Sequence, residues 1–172
     1  ALQAGTSHFL GQNFAKAFNV KYANTQGVLE HVWATSWGVS TRLIGALIMT
    51  HSDDNGLVLP PNLAPVQVVL VPIYKGEKQQ MEIAEVAIRM KNALESKNIR
   101  VKFDNRDKFK PGYKFNEYEL KGVPLRIAIG PKDIQNRTVE IARRDTFSKT
   151  LVDQDEAVDF ISMKLEQIQD DL

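Results

Sequence analysis

Two adjacent prolines, Pro60 and Pro61, and a third at Pro65 interrupt the chain in LPPNLAP, Leu59 to Pro65. Proline fixes φ and removes an amide donor, so no regular helix continues through this segment. It divides the sequence near Ala64 into a shorter module, residues 1–64, and a longer one, residues 65–172. Upstream, His31 to Val39 alternates enough to be a strand, and Arg42 to Thr50 is an apolar helix followed by a turn at Asp53, Asn55 and Gly56. Downstream, Val66 to Ile73 is a nearly unbroken apolar run of strand length, the pattern of a strand covered on both faces. Ile83, Val86, Met90 and Leu94 then recur at helical spacing up to a Ser96-Lys97-Asn98 stop. Strands are predicted over Ile99 to Phe103, Pro124 to Ile129 and Thr138 to Ala142, and a last amphipathic helix carries Val158, Ile161, Leu165 and Ile168 on one face. This order predicts an α/β domain with a mixed sheet.

At 172 residues and 43% apolar content the chain can bury the core of one domain and a sizeable piece of another. No apolar run approaches the ~20 residues of a membrane span, and ALQAGTSHF lacks the basic start and long apolar core of a secretory signal. A membrane partner is therefore not expected, and the chain reads as cytoplasmic. With no cysteine there is no disulfide, thiolate zinc site or cysteine nucleophile. Three scattered histidines do not form a zinc set, so no protein-bound metal is predicted. HSDDNG, His51 to Gly56, has an EF-hand flavour, but His51 stands at the first ligand position and Asn62 where the bidentate glutamate belongs. Asn136-Arg137-Thr138 is a formal glycosylation sequon without a secretory context.

The net charge of +1 does not announce a nucleic-acid binder. Its distribution is more telling: Lys102, Arg106, Lys108, Lys110, Lys114, Lys121, Arg126 and Lys132 are interleaved with Phe103, Phe109, Tyr113, Phe115 and Tyr118. Such a stretch can track phosphates and stack bases, although a solvated surface over core aromatics has the same pattern. In the first module Arg42 stands at the start of its helix, where unpaired amides and the helix dipole favour an anion. An arginine leading out to solvent fits the spacing equally well. Gln3, Thr6 and His8 read as a polar loop around Gly5, and Trp37 as either core or an apolar wall.

LQAGTSHFLGQNF, Leu2 to Phe14, and WGVSTRLIGALIM, Trp37 to Met49, resemble the later part of the catalytic domain of the prolyl-tRNA synthetase family, which is class II. KFNEYELKGVPLRIAIGPKD, Lys114 to Asp133, looks like that family's anticodon-binding domain. The resemblance implies part of an antiparallel-sheet catalytic domain followed by an α/β anticodon-binding domain with a mixed sheet. It implies ATP-dependent ligation of proline to tRNA(Pro) through prolyl-adenylate, with Mg2+ accompanying ATP and a homodimer for the full-length enzyme. Arg42 would be the catalytic arginine of the third class II motif, holding the terminal phosphate of ATP. Gln3 and Thr6 would lie near the adenosine, and His8, Trp37 and Ser40 around proline.

All proline codons begin CC, so the anticodon carries two adjacent guanines. The resemblance assigns their reading to Phe115, Glu119, Arg126, Lys132 and Asp133. Arg and Lys match guanine O6 and N7, carboxylates match N1 and N2, and an aromatic ring stacks on an unstacked base. Ala1 starts inside a recognisable motif, and the family's first and second motifs lie upstream of it. The 172 residues are therefore expected to be a fragment that is inactive alone. The alternative is a non-catalytic, synthetase-like module that binds tRNA. Other class II synthetases are disfavoured by TSHFLGQNF and KGVPLRIAIGPKD together.

Overall fold

The computed structural model describes residues 2–172, which form two compact units, the first ending at Leu47 and the second running from Ile48 to Leu172. In the first, strand β1 (Thr6–Gly11) pairs antiparallel with β4 (Ala34–Gly38), and β2 (Lys21–Ala23) with β3 (Leu29–His31). A short helix, α1 (Asn13–Ala17), follows the bulge at Gly11, whose φ of 57° suits glycine. Helix α2 (Arg42–His51) begins at the predicted arginine. Two expectations are corrected. The single strand expected over His31 to Val39 is two strands broken at Val32 and Trp33, and the supposed polar loop around Thr6 and His8 is strand β1. Polar residues line that strand because much of the ribbon is open to solvent, so the apolar alternation that marks a half-buried strand is absent.

The second unit is built on a five-stranded sheet in the order β6-β5-β7-β8-β9. Strand β5 (Val68–Pro72) runs parallel to β6 (Val101–Phe103) and β7 (Leu125–Ile129); β8 (Thr138–Arg143) and β9 (Lys149–Asp153) add antiparallel. Helices α3 (Glu77–Ser96) and α6 (Ala157–Asp171) cover one face. There Ile83, Met90, Leu94, Ile161, Leu165 and Ile168 pack on Val68, Leu70, Leu125, Ile127 and Ile129. Helix α4 (Pro111–Leu120) covers Val69 and Val71 on the other face with Tyr118 and Val123, and the short α5 (Pro131–Asn136) follows β7. β5 is therefore buried along its whole length, which explains its unbroken apolar run. Helix α3 ends where predicted, with Asn98 in the left-handed region and its amide bonded to the Glu95 carbonyl.

Helix α4 was not legible from periodicity, because its inner face carries Lys114, 3% exposed, beside Tyr118. Its punctuation was present: Pro111 at the first helical position and Gly122, at φ 68°, just past the end. The segment before the sheet docks on this corner. The Leu57 amide donates to the Leu120 carbonyl at 3.1 Å, and a Cβ on Gly122 would lie 2.7 Å from Leu57. The Arg100 guanidinium holds the proline segment through the Ala64 and Pro61 carbonyls at 2.9 and 2.7 Å. Among the described residues no helix is long and apolar enough to cross a membrane.

Candidate functional site

Register places Arg126 of β7 beside Val69 of β5 and Ala142 of β8, so its side chain leaves the sheet on the face that carries α4. Arg126 does not belong to a solvated surface: it is 7% exposed, and its guanidinium lies 3.6 Å from the centroid of the Phe115 ring. Its Nη1 is buried, has no hydrogen-bond partner among the described residues, and stands 3.8 Å from Glu140 Oε1. Burial lowers the guanidinium's pKa, while the charges of Glu119 and Glu140 act in the opposite direction. Phe115, Glu119, Arg126 and Arg144 line one small cleft, with room for about one water. Three of the five residues predicted to read guanines are thus gathered around a charged donor that lacks an acceptor.

Two clusters of ion pairs hold α4, which carries Phe115 and Glu119. Near its N-terminal half, buried Asp104 accepts from the Arg106 Nε and Nη2 at 2.9 and 2.7 Å and from the Tyr118 hydroxyl at 3.1 Å. Lys114 Nζ donates to the Asp104 carbonyl at 2.9 Å and lies 3.7 Å from Oδ1. Burial would push the Asp104 carboxyl up, but hydrogen bonds from Arg106 and the charge of Lys114 hold it well below the usual carboxylate range. At the other end, Arg144, 3% exposed, donates Nε to the Glu119 carbonyl at 2.8 Å. Its Nη1 and Nη2 fork onto Asp53 at 2.8 and 2.6 Å.

Lys132 and Asp133 lie in the first turn of α5, past the opposite end of β7 from Glu119. Lys132 is exposed, whereas one oxygen of Asp133 accepts the Gly130 amide at 2.8 Å. The basic stretch divides in the same way. Lys102, Lys108, Lys110, Lys121 and Lys132 are exposed, but Lys114 is buried on Asp104, and Arg106 is held between Asp104 and Glu117 and over Phe109. Phe109 itself stacks on Tyr113 at 4.5 Å between centroids.

In the first unit Gln3 Nε2 donates to Thr6 Oγ1 at 2.7 Å. Thr6 pairs with Gly38 and His8 with Ser36, which puts Thr6 and His8 on one face of the β1–β4 ribbon. Trp37 pairs with Ser7 and so projects from the opposite face, 81% exposed. Ser40 Oγ accepts the Arg42 amide at 3.4 Å at the start of α2, and the Arg42 side chain is exposed. Among the described residues no group of three or more His, Asp or Glu side chains is arranged to hold a metal ion.

A family model described as anticodon binding domain matches residues 67–164. The chain belongs to the anticodon-binding domain family. Over all 172 residues it is 66% identical to a protein of Christiangramia forsetii named proline–tRNA ligase, and over 169 residues 62% identical to one of that name from Porphyromonas gingivalis. These alignments cover 100% and 98% of this chain and 35% and 34% of the two relatives. A solved prolyl-tRNA synthetase from Cryptosporidium parvum, complexed with L-proline and AMP, superposes with a TM-score of 0.80 at 43% identity over 98% of this chain and 36% of its own. The chain therefore spans about a third of the length of the curated relatives it matches.

For this anticodon-binding domain, sequence reasoning missed Glu140, Asp104, Asp53 and Arg144. Glu140 could have been found from its alternation with the apolar Val139 and Ile141 of β8, which turns it toward the face of Arg126. Asp53 and Arg144 gave no signal in pattern or spacing, because they are 91 residues apart, whereas Asp104 stands two residues from Arg106 and its burial alone was hidden.

Proposed function

We propose that the chain is part of a prolyl-tRNA synthetase that ligates proline to tRNA(Pro), with residues 65–172 reading the two anticodon guanines. The observation that carries this reading is the buried Arg126 guanidinium stacked on Phe115: its Nη1 has no hydrogen-bond partner among the described residues and only a 3.8 Å ion pair with Glu140. A buried donor without an acceptor costs about 1–3 kcal/mol, more when charged, and guanine O6 and N7 are the acceptors a guanidinium fits. The cleft is too small for a base as it stands. Phe115 must therefore leave Arg126 for the base to enter, exchanging a cation–π contact for stacking on the guanine. Glu119 accepts from N1 and N2, while Lys132 and Asp133 engage the neighbouring nucleotide from the first turn of α5.

In the same reading residues 1–64 are the C-terminal part of the catalytic domain and carry its third motif. The proline carboxylate attacks the α-phosphate of ATP, forming prolyl-adenylate and releasing pyrophosphate; the tRNA 3′-terminal hydroxyl then attacks the prolyl carbonyl, forming the ester and releasing AMP. Arg42, at the N-terminus of a ten-residue helix, holds the terminal phosphate, where helix amides and guanidinium act together. Gln3 and Thr6, already hydrogen-bonded to each other, border the adenosine, and His8 shares the Thr6 face toward proline. Trp37 projects from the other face, so the proline pocket wraps the strand end at Gly38 and Ser40 instead of lying on one face of the ribbon. Magnesium enters with ATP, and among the described residues no group of three or more His, Asp or Glu side chains is arranged to hold it. The full-length enzyme is a cytoplasmic homodimer, and these 172 residues do not activate proline alone.

The test is Arg126→Ala in the full-length synthetase. Aminoacylation efficiency with tRNA(Pro) should fall roughly 10- to 100-fold, as expected for a lost charge-assisted contact, while proline-dependent ATP–pyrophosphate exchange stays within about twofold. Equal use of transcripts with adenine in place of either guanine would refute guanine reading. Absence of exchange with any amino acid would favour a non-catalytic tRNA-binding module.

A further inference from the structure

Resting on the guanine-reading proposal, we infer that Asp53 and Arg144 are positioning residues for specificity, Arg144 gripping the backbone of Glu119 while Asp53 keeps the Glu119 carboxylate free for the base. Asp53 lies outside the residues matched by the anticodon-binding family, in the turn that precedes the sheet.

The geometry assigns this role in two steps. The last carbonyls of a helix have no partner within it, and how they are satisfied sets where the helix end sits. At the end of α4 the Glu119 carbonyl accepts from Arg144 Nε at 2.8 Å and from the Gly122 amide at 3.0 Å, and the Leu120 carbonyl accepts from Leu57. The segment around Asp53 to Leu57 and the Arg144 side chain together fix the turn of α4 that presents Glu119. The second step is electrostatic. Arg144 and Arg126 both line the Glu119 cleft, and a buried guanidinium requires an anionic partner. Asp53 fills both terminal nitrogens of Arg144 in a two-pronged pair. Without it, Glu119, which lines the same cleft and whose backbone Arg144 already holds, offers the replacement carboxylate, which would turn to Arg144 and be lost to guanine. Lysine at 144 cannot serve, because one ammonium cannot hold the Glu119 carbonyl and both Asp53 oxygens in the same geometry.

The experiment uses the full-length synthetase and short RNA hairpins whose loop carries two adjacent guanines, or inosine at either position. Inosine lacks the exocyclic amine, one of the two donors a carboxylate accepts. Wild type should prefer guanine to inosine roughly tenfold or more, as for other charge-assisted hydrogen bonds. Asp53→Asn and Arg144→Lys should each bring that ratio toward one while leaving proline-dependent ATP–pyrophosphate exchange unchanged. Leu165→Ala is the control for general destabilisation: Leu165 of α6 is buried in the core on the other face of the sheet and does not line the cleft. It should lower the melting temperature without moving the ratio. Wild-type ratios in both Asp53→Asn and Arg144→Lys, whatever their melting temperatures, would overturn the positioning role. Wild-type protein that binds adenine-substituted hairpins as well as guanine ones would refute the underlying guanine-reading proposal, and the positioning role with it.

Discussion

Replacing Asp104 by alanine removes the centre of the cluster that fixes the inner face of α4. The loss can be worked from the contacts. Arg106 keeps its 2.6 Å pair with Glu117 and is partly exposed, so its share is small. Lys114 is different: 3% exposed, it would retain the Asp104 backbone carbonyl but lose its only carboxylate within 4 Å among the described residues. Breaking a buried pair from one side costs about 3–5 kcal/mol, and the Tyr118 hydroxyl loses its acceptor as well. A destabilisation of about 4 kcal/mol is expected, large against a domain stability of about 5–15 kcal/mol. Urea unfolding followed by far-UV circular dichroism measures it. Adding Lys114→Met should recover about 1–3 kcal/mol, since the second change removes the stranded charge. A single-variant loss under about 1 kcal/mol, or a double variant as unstable as the sum of the two singles, would refute the reasoning.

Gly122→Ala should cost about 2 kcal/mol or more by thermal melting, because the residue sits at φ 68° and its new Cβ would lie 2.7 Å from the Leu57 side chain and carbonyl. Asp53, held by its hydrogen bonds to Arg144, titrates at about 2. Its folded pKa is depressed, so the stability it supplies is complete above the ordinary carboxylate pKa of about 4 and is lost as pH falls through about 2. With a third of the side chain exposed, about 1 kcal/mol is expected, and Asp53→Asn should flatten the acid limb of the stability curve by that amount. Arg42→Ala in the full-length protein should depress proline-dependent ATP–pyrophosphate exchange while hairpin binding is unchanged; equal loss in both would remove Arg42 from the nucleotide site.

Elements whose burial is simple were readable from the chain. β5, β7, α3 and α6 face one apolar core, and their apolar periods follow that directly. α4 was lost because its inner face is charged: Lys114 is buried on a carboxylate, so the apolar period breaks at a fully packed position. β1 was lost for the converse reason, a strand with little to bury. At the cleft proposed to read guanine, a family likeness pointed to Phe115, Glu119 and Arg126, and geometry added what spacing cannot express. Arg126 is buried, not solvated, and Glu119 is held through its backbone by Arg144, paired to Asp53 across 91 residues of chain. Contacts of that range leave no trace in local pattern.

The position of β5 also has a consequence for synthesis. This most apolar strand is internal to the sheet, yet its neighbours β6 and β7 begin only at Val101 and Leu125. As the chain leaves the ribosome, VQVVLVPI emerges with neither edge paired and no sheet to join until both crossovers have been translated. Parallel pairing of this kind forms late, and an unpaired apolar strand is the segment most exposed to association with other nascent chains. Slow translation between residues 73 and 125 would lengthen that interval, making this stretch the place where chaperone engagement has most to protect.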